Sequence, residues 1–237
     1  MPEKVIGILG GMGPEATVAF FFRIVRATHA RHDQDHFRVL VDSNPKIPDR
    51  TAAIRGEGKS PLPMLVQSAR GLQKDGADFI AIPCVTAHYF FDPLQKKVRI
   101  PILNIVGEVV EHVCRRMKKV RRIGLVATSG TVETGLFQKA FAKAGIEVVL
   151  PDAKTQKSRI MAAIYGRKGV KAVGPSEESK TLVIAAAKTL IDRGAQAILA
   201  GCTEIPLILK DGDLPVPVVD SLDVLAQAAI REARGRK

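Results

Sequence analysis

The chain has 237 residues, 46% hydrophobic and 25% charged, with 36 Lys and Arg against 24 Asp and Glu for a net charge of +12. That length allows one or two domains with real cores, and the composition excludes wholesale disorder. No run approaches the ~18 uninterrupted apolar residues of a membrane span, and three scattered cysteines argue against a disulfide scaffold.

The opening segment carries Glu3 and only a short apolar run before glycines, so it does not read as a secretory signal. With the cysteine usage, the expectation is a soluble cytoplasmic protein. From there, short apolar runs alternate with longer helical patterns. Candidate strands are Val5–Leu9, Val39–Val41, Phe79–Ile82, Ile102–Ile105, Ile123–Ala127, Glu147–Leu150, Ala197–Ala200 and Val218–Val219. Most lack apolar–polar alternation, as expected of parallel strands covered on both faces by crossover helices. Helical patterns fall at Glu15–His29, Pro63–Asp75, Gly135–Ala144 and Ser176–Arg193, with Pro14 at a favoured first position and Gly145 as a stop. The reading is a three-layer α/β architecture.

An internal repeat divides the chain. Ile6-Gly7-Ile8-Leu9-Gly10 is echoed by Ile123-Gly124-Leu125-Val126-Ala127, 117 residues on. Asp75-Gly76-Ala77 leading to Cys84 is echoed by Arg193-Gly194-Ala195 leading to Cys202, 118 on, and Pro101-Ile102 by Pro217-Val218, 116 on. Two similar lobes follow, each with a mainly parallel four-stranded sheet and a ligand site expected in the cleft between them. Cys84 and Cys202 occupy matching places at the carboxyl ends of strands. A helix start there is expected to lower a thiol's pKa. Buried cysteine as a small hydrophobe is the alternative, and Cys114, between Val113 and Arg115, reads as core filler. Two thiols facing one carbon can invert it: one as thiolate removes a proton and the other as thiol delivers one to the opposite face. The carbanion between them needs preorganised donors.

Other readings compete. Arg115, Arg116, Lys118, Lys119, Arg121 and Arg122 form a basic cluster, but no aromatic interleaves with it as nucleic-acid stacking requires. The cluster suits a solvated helix C-terminus. His29, His32, Asp33, Asp35 and His36 have ligand chemistry without a tight metal-ligand spacing. His88, four residues after Cys84, is expected one turn along rather than against the sulfur. Gly11-x-Gly13-x-x-Ala16, with Asp42 ending the next strand, satisfies a loose dinucleotide fingerprint, so a nicotinamide oxidoreductase is the enzyme alternative. Pro14 removes an amide where pyrophosphate would dock.

Gly10-Gly11-Met12-Gly13-Pro14-x-Ala16-Thr17, Asp33-Gln34-Asp35-His36, Asn44-Pro45-x-Ile47-Pro48-Asp49-Arg50-Thr51, Pro83-Cys84-x-Thr86-Ala87-His88 and Gly201-Cys202-Thr203-Glu204 appear in order. This set resembles the aspartate/glutamate racemase family, the aspartate racemase branch especially, from about residue 4 to residue 230. The resemblance implies Cys84 and Cys202 as opposed acid and base, with neither cofactor nor metal. It implies an acidic amino acid as substrate, with Arg50 and Lys171 holding carboxylates and Met12, Val85, Thr86, Thr203 and Glu204 lining the site. A homodimer is implied, with no nucleic-acid or membrane partner. So is a chain whose end returns to the first lobe: 1–103 with 213–237, and 104–212. Two positions depart from the family pattern. Val85 stands where the family usually has Asn, removing a polar donor and adding apolar bulk, and Ser43 stands where aspartate racemases often carry Asn. A different amino acid is the alternative substrate.

Overall fold

The computed structural model describes residues 3–235. The chain folds as two units, Met1–Glu108 with Leu222–Lys237, and Val109–Ser221. The first holds strands β1 (Ile6–Gly10), β2 (Val39–Ser43) and β3 (Phe79–Ala81), all parallel in the order β2-β1-β3. The second holds β4 (Arg122–Val126), β5 (Glu147–Val149), β6 (Ala197–Ala200) and β7 (Val218–Asp220), parallel in the order β5-β4-β6-β7. Every residue of β1, β3 and β6 is buried, so both faces of these strands are covered.

The two sheets are wound alike, and the repeat explains why. β1 and β4 are central, β2 and β5 lie on one side, and β3 and β6 on the other. The backbone amide of Ile80 donates to the carbonyl of Pro101, and that of Ile198 to Pro217, both at 2.9 Å. Gly7 and Gly124 serve equal ends. A Cβ on Gly7 would meet that of Ala77 at 2.9 Å, and one on Gly124 that of Ala195 at 3.2 Å. Each glycine lets the Gly-Ala turn before the third strand close onto the first.

The symmetry is incomplete at the fourth strand. The expected strand Ile102–Ile105 is reduced to one bridge, Ile80 to Ile102, because a helix, Ile105–Arg116, begins there. Asn104 Oδ1 accepts from the amides of Val106 and Gly107 at 3.0 and 3.1 Å, an N-terminal cap that draws the chain out of the sheet. In the second unit β7 forms fully before helix Ser221–Ala233 starts. Pairing with β6 keeps residues 218–220 in the second unit, so the division falls at 108/109 and 221/222 rather than at 103/104 and 212/213.

The four expected helices form as Pro14–Ala27, Leu62–Lys74, Leu136–Ala142 and Glu177–Asp192. The basic cluster is engaged locally. Arg115 pairs with Glu111 at 3.1 Å, Arg121 donates to the Lys118 carbonyl at 2.8 Å, and Arg122 binds Glu147 at 2.9 Å. Cys114 is exposed, not core: Val109 and Val113 take the inward face, and one residue further turns the side chain about 100° outward. Among the described residues no helix is long and apolar enough to cross a membrane.

Candidate active site

In the first unit the chain leaves β3 through Ile82-Pro83 and places Cys84 just before the 3-10 turn Thr86–Phe90. Cys84, Val85 and Thr86 are all buried. His88 reaches back to the backbone, not to the sulfur. Its Nδ1 lies 3.0 Å from the Cys84 carbonyl oxygen, and the Ile105 amide donates to its Nε2 at 3.3 Å. Burial pushes its pKa down, so the ring is neutral. A proton on Nδ1 donates to the Cys84 carbonyl and leaves Nε2 to accept from Ile105, with the Leu103 carbonyl oxygen 3.3 Å from that same nitrogen. His88 therefore pins the cysteine's backbone to the start of the next helix.

Arg50 begins the helix Arg50–Ile54 and is buried. Its guanidinium donates to the carbonyls of Ile47 (3.2 Å), Pro48 (3.0 Å) and Met12 (3.4 Å). It thus ties the glycine loop to the proline-punctuated loop after β2. Met12 and Cys84 belong to one apolar cluster with Leu9, Ile47 and Ala87. The glycine loop closes on itself. The Gly11 amide donates to Thr17 Oγ1, and that hydroxyl donates to the Gly13 carbonyl, each at 2.9 Å. Gly11 has φ +89°, and a Cβ there would meet the Asn44 backbone at 2.3 Å. Packing against Asn44 accounts for this glycine without a pyrophosphate. Asp42 lies at the carboxyl end of β2, beside Leu9, and Ser43 beside Gly10.

In the second unit Cys202 leaves β6 in the same way, ahead of the short helix Ile205–Ile208. It belongs to an apolar cluster with Val126, Ile205 and Ile208, and it also meets charged groups. Cys202 Sγ donates to Glu204 Oε2 at 2.9 Å, and Thr203 Oγ1 donates to the same oxygen at 3.4 Å. The other Glu204 oxygen takes Lys171 Nζ. That ammonium also lies 5.5 Å from the centre of the Tyr165 ring, within cation–π range. Thr203 and Glu204 are buried and Lys171 is half-buried.

The expected lowering of thiol pKa is overturned at Cys202. Burial pushes it well above the ordinary value and the Glu204 carboxylate pushes further, with Lys171 opposing in part. A four-residue helix start does not outweigh burial beside a carboxylate, and Cys202 is held as the thiol.

Several polar residues of the second unit escaped sequence reasoning. Thr128 caps the helix Ser129–Thr134, with its Oγ1 3.1 Å from that of buried Thr131. Gln156 Nε2 donates to the Ala127 carbonyl at 3.0 Å and to Ser129 Oγ at 3.2 Å. The repeat contained the signal: an offset of 117 from Gly10-Gly11-Met12 lands on Ala127-Thr128-Ser129. Tyr165 had none. Among the described residues no group of three or more His, Cys, Asp or Glu could hold a metal ion. In the segment from His29 to His36, Asp35 instead accepts the Arg31 and His32 amides at 2.9 and 3.0 Å, which holds its carboxyl below the usual range.

A duplicated parallel sheet with a cysteine at the equivalent strand end of each copy is the frame of an α/β enzyme. The chain belongs to the Asp/Glu/Hydantoin racemase family, whose sequence pattern it matches over residues 9–229. It is accordingly an isomerase. It is 28% identical to the broad-specificity amino-acid racemase RacX of Bacillus subtilis over 236 residues, covering 95% of this chain and 96% of that one. Among solved structures it resembles the aspartate racemase of Picrophilus torridus, with TM-score 0.81, 29% identity and 98% and 94% of the two chains covered. It also resembles an aspartate racemase homologue from Pyrococcus horikoshii, with TM-score 0.74, 25% identity and 98% and 99% covered.

Proposed function

We propose that the protein racemises an amino acid without a cofactor, using Cys84 and Cys202 as a base and acid pair at Cα. The observation that carries this reading is the matched placement of the two cysteines: Cys84 three residues after the end of β3 and Cys202 two residues after the end of β6, each followed within two residues by Thr. Cys202, held protonated beside Glu204, is the proton donor. Cys84 in its thiolate form takes the Cα proton. The electron pair left on Cα then collects the proton from Cys202 on the opposite face. The product has inverted configuration, and the two sulfurs have exchanged protonation states. Arg50 and Lys171 serve the substrate's carboxylates, which orients the Cα–H bond for transfer. Met12, Val85, Thr86 and Thr203 line the site.

Aspartate and glutamate are the first substrates this reading names. Buried Val85 favours a second reading, a neutral amino acid, because it presents methyl groups beside Cys84 where an amide would donate hydrogen bonds. The broad specificity named for the Bacillus subtilis relative supports the same extension. The test is incubation of each acidic and neutral L-amino acid with the protein in deuterated water. Deuterium at Cα together with the D enantiomer is expected for at least one substrate. A full panel with neither exchange nor inversion refutes the reading.

A further inference from the structure

Lys171 sits on a short segment whose backbone is fixed from two sides. On the side of the preceding helix, Ala162–Tyr165, the Gly166 amide donates to the Ala162 carbonyl at 2.9 Å and the Gly169 amide to that of Gly166 at 2.8 Å. A Cβ on Gly169 would meet the Gly166 nitrogen at 2.8 Å and the Ala162 carbonyl oxygen at 2.9 Å, so this turn closes only on glycine. On the side of the following helix, Glu177–Asp192, buried Ser179 Oγ donates to the Lys168 carbonyl at 3.0 Å. Ser176 Oγ caps that helix by accepting the Ser179 amide at 3.2 Å, and it donates to Ser179 Oγ at 3.1 Å. The two hydroxyls thus point one way, from Ser176 through Ser179 to the Lys168 carbonyl.

A buried hydroxyl requires a partner, and the one Ser179 finds lies outside its own helix. That carbonyl belongs to the residue before Gly169, where the helix Val170–Val173 begins. Val170 enters the core among Ala163, Ile164 and Val183. Lys171 comes next and pairs with Glu204, the carboxylate that accepts from Cys202 Sγ. These two charged groups act on the sulfur in opposite senses, Glu204 raising its pKa and Lys171 lowering it. An ammonium on a flexible four-carbon stem stays at one carboxylate only if its own backbone is held still.

We propose that Ser179 is a positioning residue for the cysteine site of the second unit: its hydroxyl, bound to the Lys168 carbonyl, holds the turn that keeps Lys171 against Glu204. The proposal rests on the roles assigned above to Lys171 and Cys202, but its test reads the thiol and not turnover. It can therefore fail or stand apart from the racemase reading, which deuterium exchange tests. Alkylation of Cys202 by iodoacetamide is followed across pH by peptide mass analysis of the full chain, with Cys84 as reference and circular dichroism confirming the fold. Lys171→Met should slow alkylation about tenfold at a given pH below the midpoint, the effect of one pKa unit. Ser179→Ala should slow it about threefold and raise the midpoint, whereas Ser179→Thr, which keeps the hydroxyl, should match the wild type. Ser176→Ala removes the donor to Ser179 and reads the same shift in smaller size if Ser179→Ala does not fold. Combining Ser179→Ala with Lys171→Met should give the rate of Lys171→Met alone, because the serine acts through the ammonium. A Cys202 profile unmoved by the serine variants overturns the proposal. So does a combined variant slower than Lys171→Met, or an equal shift at Cys84, since either would make Ser179 a general support of the fold.

Discussion

The ends of β3 and β6 carry the same local pattern on similarly wound sheets, yet they surround their cysteines differently. Both cysteines belong to apolar clusters, Cys84 with Met12, Ile47 and Ala87 and Cys202 with Val126, Ile205 and Ile208, but Cys84 has a neutral His88 bound to its backbone. Cys202 donates to a carboxylate that is itself paired with Lys171. Duplication supplied the positions, and divergence of the neighbouring side chains supplied the electrostatics. Inversion of a carbon needs equivalent positions so that both faces are reached. It also needs unequal protonation, because two thiols or two thiolates cannot start the transfer. The carboxylate beside Cys202 serves that need on one side, because it holds this thiol protonated.

The most severe way to break the comparison is to delete one sulfur at a time. Cys84→Ala and Cys202→Ala should each lower racemisation by about 10²–10⁴-fold, the usual worth of a positioned acid or base. The two variants should fail differently. Each is expected to retain slow Cα–H exchange from one enantiomer only, and from opposite enantiomers, because one thiol still addresses one face. Exchange in deuterated water measured separately from the L and the D substrate checks this. Equal loss of exchange from both enantiomers in both variants would show that the sulfurs do not divide the faces.

Much of this frame was legible in the residues, and the reason is local. Buried parallel strands leave continuous apolar runs, Pro14 marks a helix start, and the near-constant repeat offset aligns both cysteines at strand ends. What depends on side chains meeting across the chain was hidden. Ile102 is followed by a run that reads as strand, and the cap from Asn104 decides otherwise. Glu204 reads as a lining residue, but Lys171, 33 positions earlier, turns it into one half of an ion pair against the thiol. Cys114 reads as core beside Val113, and the helical phase turns it outward. The glycine loop satisfies a loose nucleotide fingerprint in sequence, and only the fold shows Asn44 packed against Gly11.

His88 sharpens the comparison from the first unit. Its folded pKa is depressed below the ordinary 6.5 by burial, so its stabilising contribution is complete above that value. As pH falls below about 6.5 the unfolded chain takes up a proton that the folded chain refuses, and stability drops by up to about 1.4 kcal/mol per pH unit until the folded pKa is passed. Urea unfolding at pH 7.5 and 5.5 should show this loss in the wild type. His88→Gln should flatten that part of the profile, although it costs stability at both pH values through the lost backbone bonds. A wild type equally stable at the two pH values would show that the ring is not held neutral.

The smallest effect probes the second unit alone. Glu204→Gln removes the negative charge beside Cys202, the larger of the two influences that the neighbouring charged groups exert on the thiol. Burial remains, so the thiol should still titrate above its ordinary value, but lower than in the wild type. Alkylation of Cys202 by iodoacetamide, followed by peptide mass analysis across pH, should therefore run several-fold faster in the variant at a given pH and move its midpoint downward. Cys84 provides an internal reference, because its sulfur belongs to the other unit. A shift at Cys84 equal to that at Cys202 would mean that Glu204 acts on the whole fold rather than on the thiol it touches. Unequal movement of the two profiles would place the asymmetry in that single carboxylate.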